Sequence, residues 1–327
     1  MAQNTPFQTI LDSLLDAKKD FPARYLPYFS DIDPASLKLF LETWPGVKPT
    51  RKLLLLDGLL SLLDSDTLVS FDDLGRALLT DPDHGVRWRA IRLLAECDDP
   101  KLVPTFINIL KNDPELEPRI EAATVLGEFV RLGELEELSE KLHRDAENSL
   151  LAIESGETPP ALRRRALEVL GYSSRPEVET LIESAFKRAD PEWKASALFA
   201  MGRSSDERWE DEVVSMLLNE ETLVRLAAVE AAGELRLASA RMILLNMFEE
   251  EDEDAVSSAI IWSLSQIGGE DVRLYLLNLL DQAEDDELVA YLEDALENLE
   301  FTEGFEQLDL LAIDPDDELD EVDEEDK

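Results

Sequence analysis

The sequence predicts an all-α fold, an α-solenoid of about eight two-helix repeats. A pattern of one cation, a run of small and apolar residues, and in most cases a small residue eight positions after the cation recurs at spacings of 31 to 44 residues. Each period has room for two helix-length apolar patterns, which is typical of such solenoids. No segment shows a sustained alternation of apolar and polar residues, so strands are not expected.

The register of the repeat is set by its cation. The cation, or the residue in its place, stands at Arg51, Arg87, Arg119, Arg163, Lys194, Arg225, Ser257 and Ala290. Four of the small residues eight positions later are glycines, namely Gly127, Gly171, Gly202 and Gly233. A glycine there suits either a helix C-terminal turn or the close approach of a neighbouring helix, and both uses stay open at this point.

One repeat illustrates the two helices. Residues 100–112 ("PKLVPTFINILKN") carry apolar residues on one stripe at 3.6 residues per turn, which predicts helix A. After the breaker "DPELEP", residues 119–130 ("RIEAATVLGEFV") predict helix B in the same way. The turns pair a helix-stopping proline with a capping acid, at Asp81-Pro82, Asp113-Pro114 and Asp190-Pro191.

Three segments carry a resemblance to a known family. They are "DPDHGVRWRAIRLLA" (81–95), "DPELEPRIEAATVLG" (113–127) and "NEETLVRLAAVEAAG" (219–233). They resemble HEAT repeats of the bacterial kind, whose pattern is an acidic turn, then Val-Arg, then two small residues, then Leu-Gly. The resemblance covers roughly residues 34–300. The resemblance implies a right-handed α-α superhelix whose B helices line a concave face. It also implies contacts between turn acids and cations, here Asp81 with Arg87 and Asp113 with Arg119.

Four segments follow from this interpretation. We expect an N-terminal helical cap over 1–33, the repeats over 34–300, and a C-terminal capping segment over 301–313, because solenoids must cover the exposed cores of their terminal repeats. The alternative for the last of these is a peptide that docks elsewhere. Residues 314–327 ("DPDDELDEVDEEDK") are nearly all acidic, which predicts a disordered tail.

Charge is distributed unevenly along the chain. The protein has 74 acids and 31 bases, a net charge of −43, and the residues from Met242 onward hold 30 of the acids and two of the bases. Two acidic runs, 249–256 and 283–290, fall at turns between helices A and B of consecutive repeats, so we expect them to form an acidic ridge. The candidate partner-binding residues there are Glu250, Glu251, Asp252, Glu253, Asp285 and Asp286. The alternative is that these acids serve helix dipoles and solubility.

A second set of candidates lies on the B helices. They are Trp88, Arg89, Arg92, Arg163, Arg164 and Trp193. Exposed tryptophans and arginines are frequent binding hot spots, although core packing is the alternative for each tryptophan. In so acidic a chain we expect the arginines to pair with neighbouring carboxylates, and nucleic acid is disfavoured as a partner because its binding needs cations to replace phosphate counterions.

No catalytic residue, cofactor site or metal ligand is assigned from the sequence. There are two histidines, and one Glu-x-x-His pair, Glu140 with His143, falls short of the ligand set of a di-iron bundle. The chain also lacks the His-Glu dipeptides of deoxyhypusine hydroxylase, a HEAT-repeat enzyme. Phycobilin lyases of the HEAT-like type are similar in repeat pattern, and they keep an enzymatic alternative open.

We therefore predict a noncatalytic, cytoplasmic interaction scaffold or adaptor for a basic protein, with neither nucleic acid nor membrane as a partner. The N-terminus shows no secretory pattern, and the most apolar run, 53–63, is too short to span a bilayer. The alternatives are an enzyme or enzyme subunit that acts on a protein, and a regulator whose acidic tail folds back on Arg163, Arg164 and Arg165. Oligomeric state is left open.

Overall fold

The computed structural model describes residues 6–311, with side chains described through residue 304. Within that range the chain forms seventeen α-helices, four short 3-10 helices and no β-strand. The chain divides into two compact units, residues 1–181 and 182–327. None of the helices in the described range is long and apolar enough to cross a membrane.

The first unit holds nine complete α-helices. They are α1 (Phe7–Leu15), α2 (Pro34–Thr43), α3 (Pro49–Ser65), α4 (Asp72–Leu78), α5 (His84–Arg92), α6 (Val103–Asn112), α7 (Leu116–Glu134), α8 (Glu140–Glu154) and α9 (Pro160–Leu170). Its 3-10 helices are Ala23–Phe29, Trp44–Gly46 and Pro100–Leu102. The next helix, α10 (Pro176–Phe186), contains the division between the units.

The second unit continues the same alternation. Its helices are α11 (Pro191–Arg203), α12 (Glu210–Met216), α13 (Thr222–Glu234), α14 (Arg241–Phe248), α15 (Asp254–Ile267), α16 (Glu270–Gln282) and α17 (Asp286–Leu311), with a 3-10 helix at Glu207–Trp209. Even-numbered helices from α2 onward are helices A of the repeats, and odd-numbered helices from α3 onward are helices B.

Each unit is held together by two kinds of helix contact. Helix A packs on the helix B that follows it, as the rings of Phe106 in α6 and Phe129 in α7 show with centroids 6.2 Å apart. The B helices also pack in series, α3 to α9 in the first unit and α11 to α17 in the second. The predicted all-α solenoid of about eight two-helix repeats is confirmed.

Three of the four repeating glycines, Gly127, Gly202 and Gly233, serve close packing between successive B helices. A Cβ atom on Gly127 would lie 2.6 Å from Cβ of Val169, and one on Gly233 would lie 2.8 Å from Cα of Ser263. Among the described glycines, the positive φ angles belong to Gly268 and Gly269, outside the repeat register. The structure therefore decides between the two uses that the sequence left open.

We expect Gly233→Ala to destabilise the protein by about 1–2 kcal/mol, because the added methyl group forces α13 and α15 apart and overpacking outweighs the gain in helix propensity. The measurement is the midpoint of denaturant unfolding. The matched control is Gly304→Ala in α17, where an added Cβ meets nothing within 4 Å, and this change should be neutral or stabilising. Equal effects of the two substitutions would contradict the packing role.

Arg87 and Arg225 make the same clamp in the two units. The guanidinium of Arg87 donates two hydrogen bonds of 2.7 Å to the carboxylate of Asp113 and one of 2.9 Å to the backbone oxygen of Asp81. Arg225 likewise binds the Glu251 carboxylate at 2.7 and 2.9 Å and the backbone oxygen of Asn219 at 2.8 Å. Each cation thus joins the turn that precedes its own helix to the corresponding turn of the next repeat.

The expected pairing of Asp113 with Arg119 is wrong. Asp113 binds Arg87 of the preceding repeat, and Arg119 instead donates to the backbone oxygen of Leu110 at 2.8 Å. Asp81 does contact Arg87, but through its backbone oxygen, while its carboxylate accepts a hydrogen bond from the Trp44 indole. Repeat stacking thus brings the carboxylates of Asp113 and Glu251 to the cation of the preceding repeat.

Acid should remove the clamp's contribution. The hydrogen bonds from Arg225 hold the pKa of Glu251 below its ordinary value of 4.5. Because the folded pKa is the lower one, the stabilisation is present above the unfolded pKa and is lost as the pH falls through the folded pKa. We expect Glu251→Gln to lower the free energy of unfolding by about 2 kcal/mol at neutral pH. In a pH series, the unfolding midpoint of the variant should approach that of the wild type in acid. A cost that stays constant with pH would contradict this assignment.

The two ends of the described range can be compared with the predicted caps. Helix α1 and the 3-10 helix Ala23–Phe29 pack on α2 and α3, and Arg51 donates hydrogen bonds to the backbone oxygens of Asp16 and Lys19. At the other end α17 continues without a break through residue 300 to Leu311. The segment boundaries stay predictions, and residues 314–327, predicted to be disordered, lie outside the described residues.

Candidate partner-binding site

A groove opens on the B helices of the second unit. The four B helices of this unit line it, namely α11, α13, α15 and α17, and its volume is about 360 Å³. Its aromatic and charged lining residues are Phe199, Glu230, Glu234, Trp262 and Tyr291. We call these five residues the acidic aromatic groove. Four small residues and Gln266, all on α15, complete the lining.

The aromatic part of the groove is fixed in place. Trp262 and Tyr291 lie with ring centroids 6.3 Å apart, and the Tyr291 hydroxyl donates a hydrogen bond of 2.9 Å to the backbone oxygen of Ser258. Burial raises the pKa of Tyr291, which therefore stays a neutral donor at physiological pH. Trp262 is 38% exposed, in contrast to the core tryptophans Trp44 and Trp209 at 4% each.

The acidic part of the groove has more carboxylates than cations. Burial and the charge of Glu234 raise the pKa of Glu230, whose Oε2 atom is buried and accepts no hydrogen bond from the described residues. Glu234 is exposed at the rim, but the protein walls around it desolvate its carboxyl and raise its pKa as well. Arg203 opposes both shifts and lies over the Phe199 ring at 5.3 Å. Two carboxylates thus face one guanidinium.

Such an arrangement is suited to a cation. Aromatic faces attract ammonium and guanidinium groups through the ring quadrupole, and the attraction grows as water is excluded. The carboxylates, which carry more negative charge than Arg203 balances, add a Coulombic attraction of the same sign. The groove is therefore a candidate for binding a lysine or arginine side chain.

Comparison of the sequence with family models agrees with this architecture. The model described as HEAT repeats matches residues 71–153, 178–264 and 210–297, which together cover more than half of the chain. The chain belongs to the HEAT-repeat family. Comparison with curated proteins finds no significant match.

Several solved structures are similar at low identity. The complex of CpcE and CpcF of phycocyanin lyase from Nostoc sp. PCC7120 matches with 17% identity and a TM-score of 0.45, over 70% of this chain and 94% of that chain. Human deoxyhypusine hydroxylase matches with 16% identity and a TM-score of 0.33, over 80% and 95% of the two chains. A Kap95:Nup1 complex matches with 14% identity and a TM-score of 0.38, over 89% of this chain and 41% of that chain.

The predicted acidic candidates separate into two groups within this HEAT-repeat chain. Glu251 has a side chain 5% exposed and is taken up by the clamp with Arg225. Its neighbours Glu250, Asp252 and Glu253 are exposed, as are Asp285 and Asp286 in the turn before α17. Asp285 also caps that helix by accepting hydrogen bonds from the backbone N–H groups of Glu287 and Leu288. Because α15 and α17 pack together, the two acidic turns precede neighbouring helices.

The basic candidates on α5 are engaged by acids of adjacent B helices. Arg89 forms a bidentate ion pair with Asp57 of α3, and Arg92 lies 3.9 Å from a carboxylate oxygen of Glu121 in α7. Both guanidinium groups flank the half-buried ring of Trp88, at 4.2 and 6.0 Å from its centroid. The expectation that these arginines pair with neighbouring carboxylates is confirmed for Arg89 and Arg92.

The remaining candidates are also built into the fold. Arg163 donates a hydrogen bond of 2.5 Å to the backbone oxygen of Glu154 and lies 3.5 Å from its carboxylate. Arg164 is half-buried next to it. Trp193 is buried in α11, with the Arg188 guanidinium 3.8 Å from its ring centroid. The structure thus gathers Trp88, Arg89 and Arg92 on α5 of the first unit, whereas Trp193 and the acidic turns belong to the second unit.

Sequence reasoning missed most of the acidic aromatic groove, although a signal for it exists. Phe199, Glu230 and Trp262 each stand five positions after the repeat cation or its substitute, at Lys194, Arg225 and Ser257. Arg203, Glu234 and Gln266 stand nine positions after the same residues. Aligning the repeats on the cation therefore predicts two rows of side chains across consecutive B helices, and one row contains both aromatic and acidic residues.

Glu230→Gln should stabilise the protein at neutral pH. Since its folded pKa is raised, ionisation of Glu230 removes stability as the pH rises through the folded pKa, whereas below the unfolded pKa this cost is absent. We expect a gain of about 0.5–1 kcal/mol at pH 7, reduced by the solvent in the groove, and no gain in acid. Unfolding midpoints at the two pH values measure it, with Glu297→Gln on the exposed side of α17 as the control. A loss of stability at pH 7 would contradict the assignment.

Proposed function

We propose that this HEAT-repeat protein is a noncatalytic scaffold or adaptor that binds a basic segment of a partner protein. The acidic aromatic groove receives a lysine or arginine side chain of that segment, and the acidic turns before α15 and α17 attract the charges that flank it. The single observation that carries the proposal is the union of exposed Trp262, ordered Tyr291 and the carboxylates of Glu230 and Glu234 in one groove.

The charge distribution supports the same partner chemistry. The residues from Met242 onward carry a net charge of −28, and the exposed acids of the 249–256 and 283–290 runs belong to this region. Long-range attraction of this kind speeds encounter with a positively charged partner and weakens as salt increases. Long-range attraction does not select a particular side chain. The groove provides that selection at short range, because contacts with its aromatic rings and carboxylates depend on geometry.

The arginines of the first unit support a protein over a nucleic acid as the partner. Arg87, Arg89 and Arg163 are committed to carboxylates or backbone oxygens within the fold. Binding of nucleic acid needs cations that are available to replace phosphate counterions. A cytoplasmic location remains a prediction from the sequence, as does the absence of a catalytic role.

We expect Trp262→Ala to weaken binding of a fluorescein-labelled lysine-rich peptide by about five- to thirtyfold, because the principal ring face of the groove is lost. The double substitution Glu230→Gln/Glu234→Gln should weaken it by about tenfold. Fluorescence polarisation with the full chain measures both effects. The control Glu293→Gln/Glu297→Gln, on exposed positions of α17, changes the net charge by the same amount.

The comparison between the two double substitutions separates local recognition from overall charge. If both weaken the peptide equally, attraction is only long-range and the groove is not the recognition site. If the peptide binds the wild type and neither double substitution weakens that binding, the peptide binds at another site. Replacing the peptide's lysines with acetyl-lysine should abolish binding to the wild type, and retention of the acetylated peptide would contradict a cation-binding role.

A further inference from the structure

A second cluster of charged side chains lies in the first unit, away from the groove. His143 and Glu147 stand one turn apart on α8, and Glu134 is the last residue of α7. The Nε2 atom of His143 lies 3.6 Å from Oε1 of Glu134 and 3.7 Å from Oε1 of Glu147. One ligand atom from each of the three residues lies within 4.8 Å of the other two.

The imidazole nitrogen in this cluster has no hydrogen-bond partner. Nε2 of His143 is buried from solvent and bonds to none of the described residues, and the Glu147 side chain beside it is 4% exposed. Separations of 3.6 and 3.7 Å are too long for hydrogen bonds. Two ligands held about 2.0–2.2 Å from one zinc ion at a tetrahedral angle are about 3.3–3.6 Å apart. The distances from Nε2 to the two carboxylate oxygens are therefore close to those between two ligands of one zinc ion.

The carboxylates are held in position by outer hydrogen bonds. Ser173 Oγ donates to Oε1 of Glu147, and the backbone N–H of Ser174 donates to Oε1 of Glu134 at 2.9 Å. Such bonds orient metal-binding carboxylates and raise affinity. Arg175 lies 4.0 Å from Oε2 of Glu147, and its guanidinium is hydrogen-bonded to Asn148 and Glu177.

A glycine makes room for the imidazole. A Cβ atom on Gly133 would lie 2.2 Å from Cγ of His143, so the ring packs directly against the backbone of α7. The pair Glu140 and His143, noted in the sequence, is not the basis of this cluster. Glu140 is largely exposed and pairs with Arg144 at 2.6 Å.

We propose that Glu134, His143 and Glu147 form a binding site for a divalent transition-metal ion. An imidazole with two carboxylates suits Zn²⁺ and its first-row neighbours, whereas Mg²⁺ and Ca²⁺ prefer oxygen ligands alone. The bound ion would join the end of α7 to α8, and through the outer hydrogen bonds to the turn after α9. It neutralises the partly exposed carboxylate of Glu134 and the buried one of Glu147, and it gives the buried Nε2 atom a ligand.

The wild-type protein itself allows a direct test, because it contains only two histidines, His84 and His143. Zn²⁺ is added to the full chain in millimolar Mg²⁺, which occupies weak surface carboxylates, and the imidazole ¹⁵N resonances are followed by NMR. We expect the His143 Nε2 resonance to shift strongly and saturate at one equivalent, while that of exposed His84 stays in place. A His143 resonance unchanged by Zn²⁺, or one typical of an imidazolium paired with the glutamates throughout, would overturn the proposal.

Variants provide a second readout by calorimetry. Glu134→Gln and His143→Ala should weaken Zn²⁺ binding at least tenfold, and Glu140→Gln, which removes an exposed carboxylate from the same helix, should leave it unchanged. Equal affinity in Glu134→Gln and Glu140→Gln would also overturn the proposal. Should His143→Ala fail to fold, Glu134→Gln and the wild-type spectra still decide the question.

Discussion

The close approach of successive B helices is the constraint on which the rest of the structure depends. Gly233 lets α13 lie against Ser263 of α15, and Gly202 lets α11 approach Ala231 of α13. This approach places residues five and nine positions after each repeat cation side by side on adjacent helices. Glu230 therefore lies in the same groove as Trp262, although 32 residues separate them in the chain.

Stacking also explains which parts of the fold could be predicted. The helix pairs follow from the apolar period and the Asp-Pro turns, which are local signals. The partner of Arg87 is not local, since Asp113 lies 26 residues away and the nearer Asp81 offers only its backbone oxygen. Glu147 could have been assigned to His143 from the four-residue helical spacing, but Glu134 lies across a turn whose geometry the sequence does not specify.

The acidic runs show why composition alone could not assign roles. Glu251 and Asp252 are adjacent in the sequence, yet one is buried in the Arg225 clamp and the other is exposed. The same distinction separates the buried Oε2 atom of Glu230 from the solvent-exposed carboxyl of Glu297. An acidic residue that stabilises the fold and one that is available to a partner are the same residue type in the sequence. Only their burial and their contacts in the structure distinguish them.

Whether the acidic aromatic groove binds cationic side chains can be measured by ¹⁹F NMR of the full chain labelled with 5-fluorotryptophan. The five tryptophans give separate probes, and Trp262 reports on the groove. Upon addition of a lysine-rich peptide, we expect a saturable shift of the Trp262 resonance, whereas the resonances of buried Trp44, Trp193 and Trp209 stay unchanged. A peptide that binds while Trp262 stays in place and Trp88 shifts would contradict it.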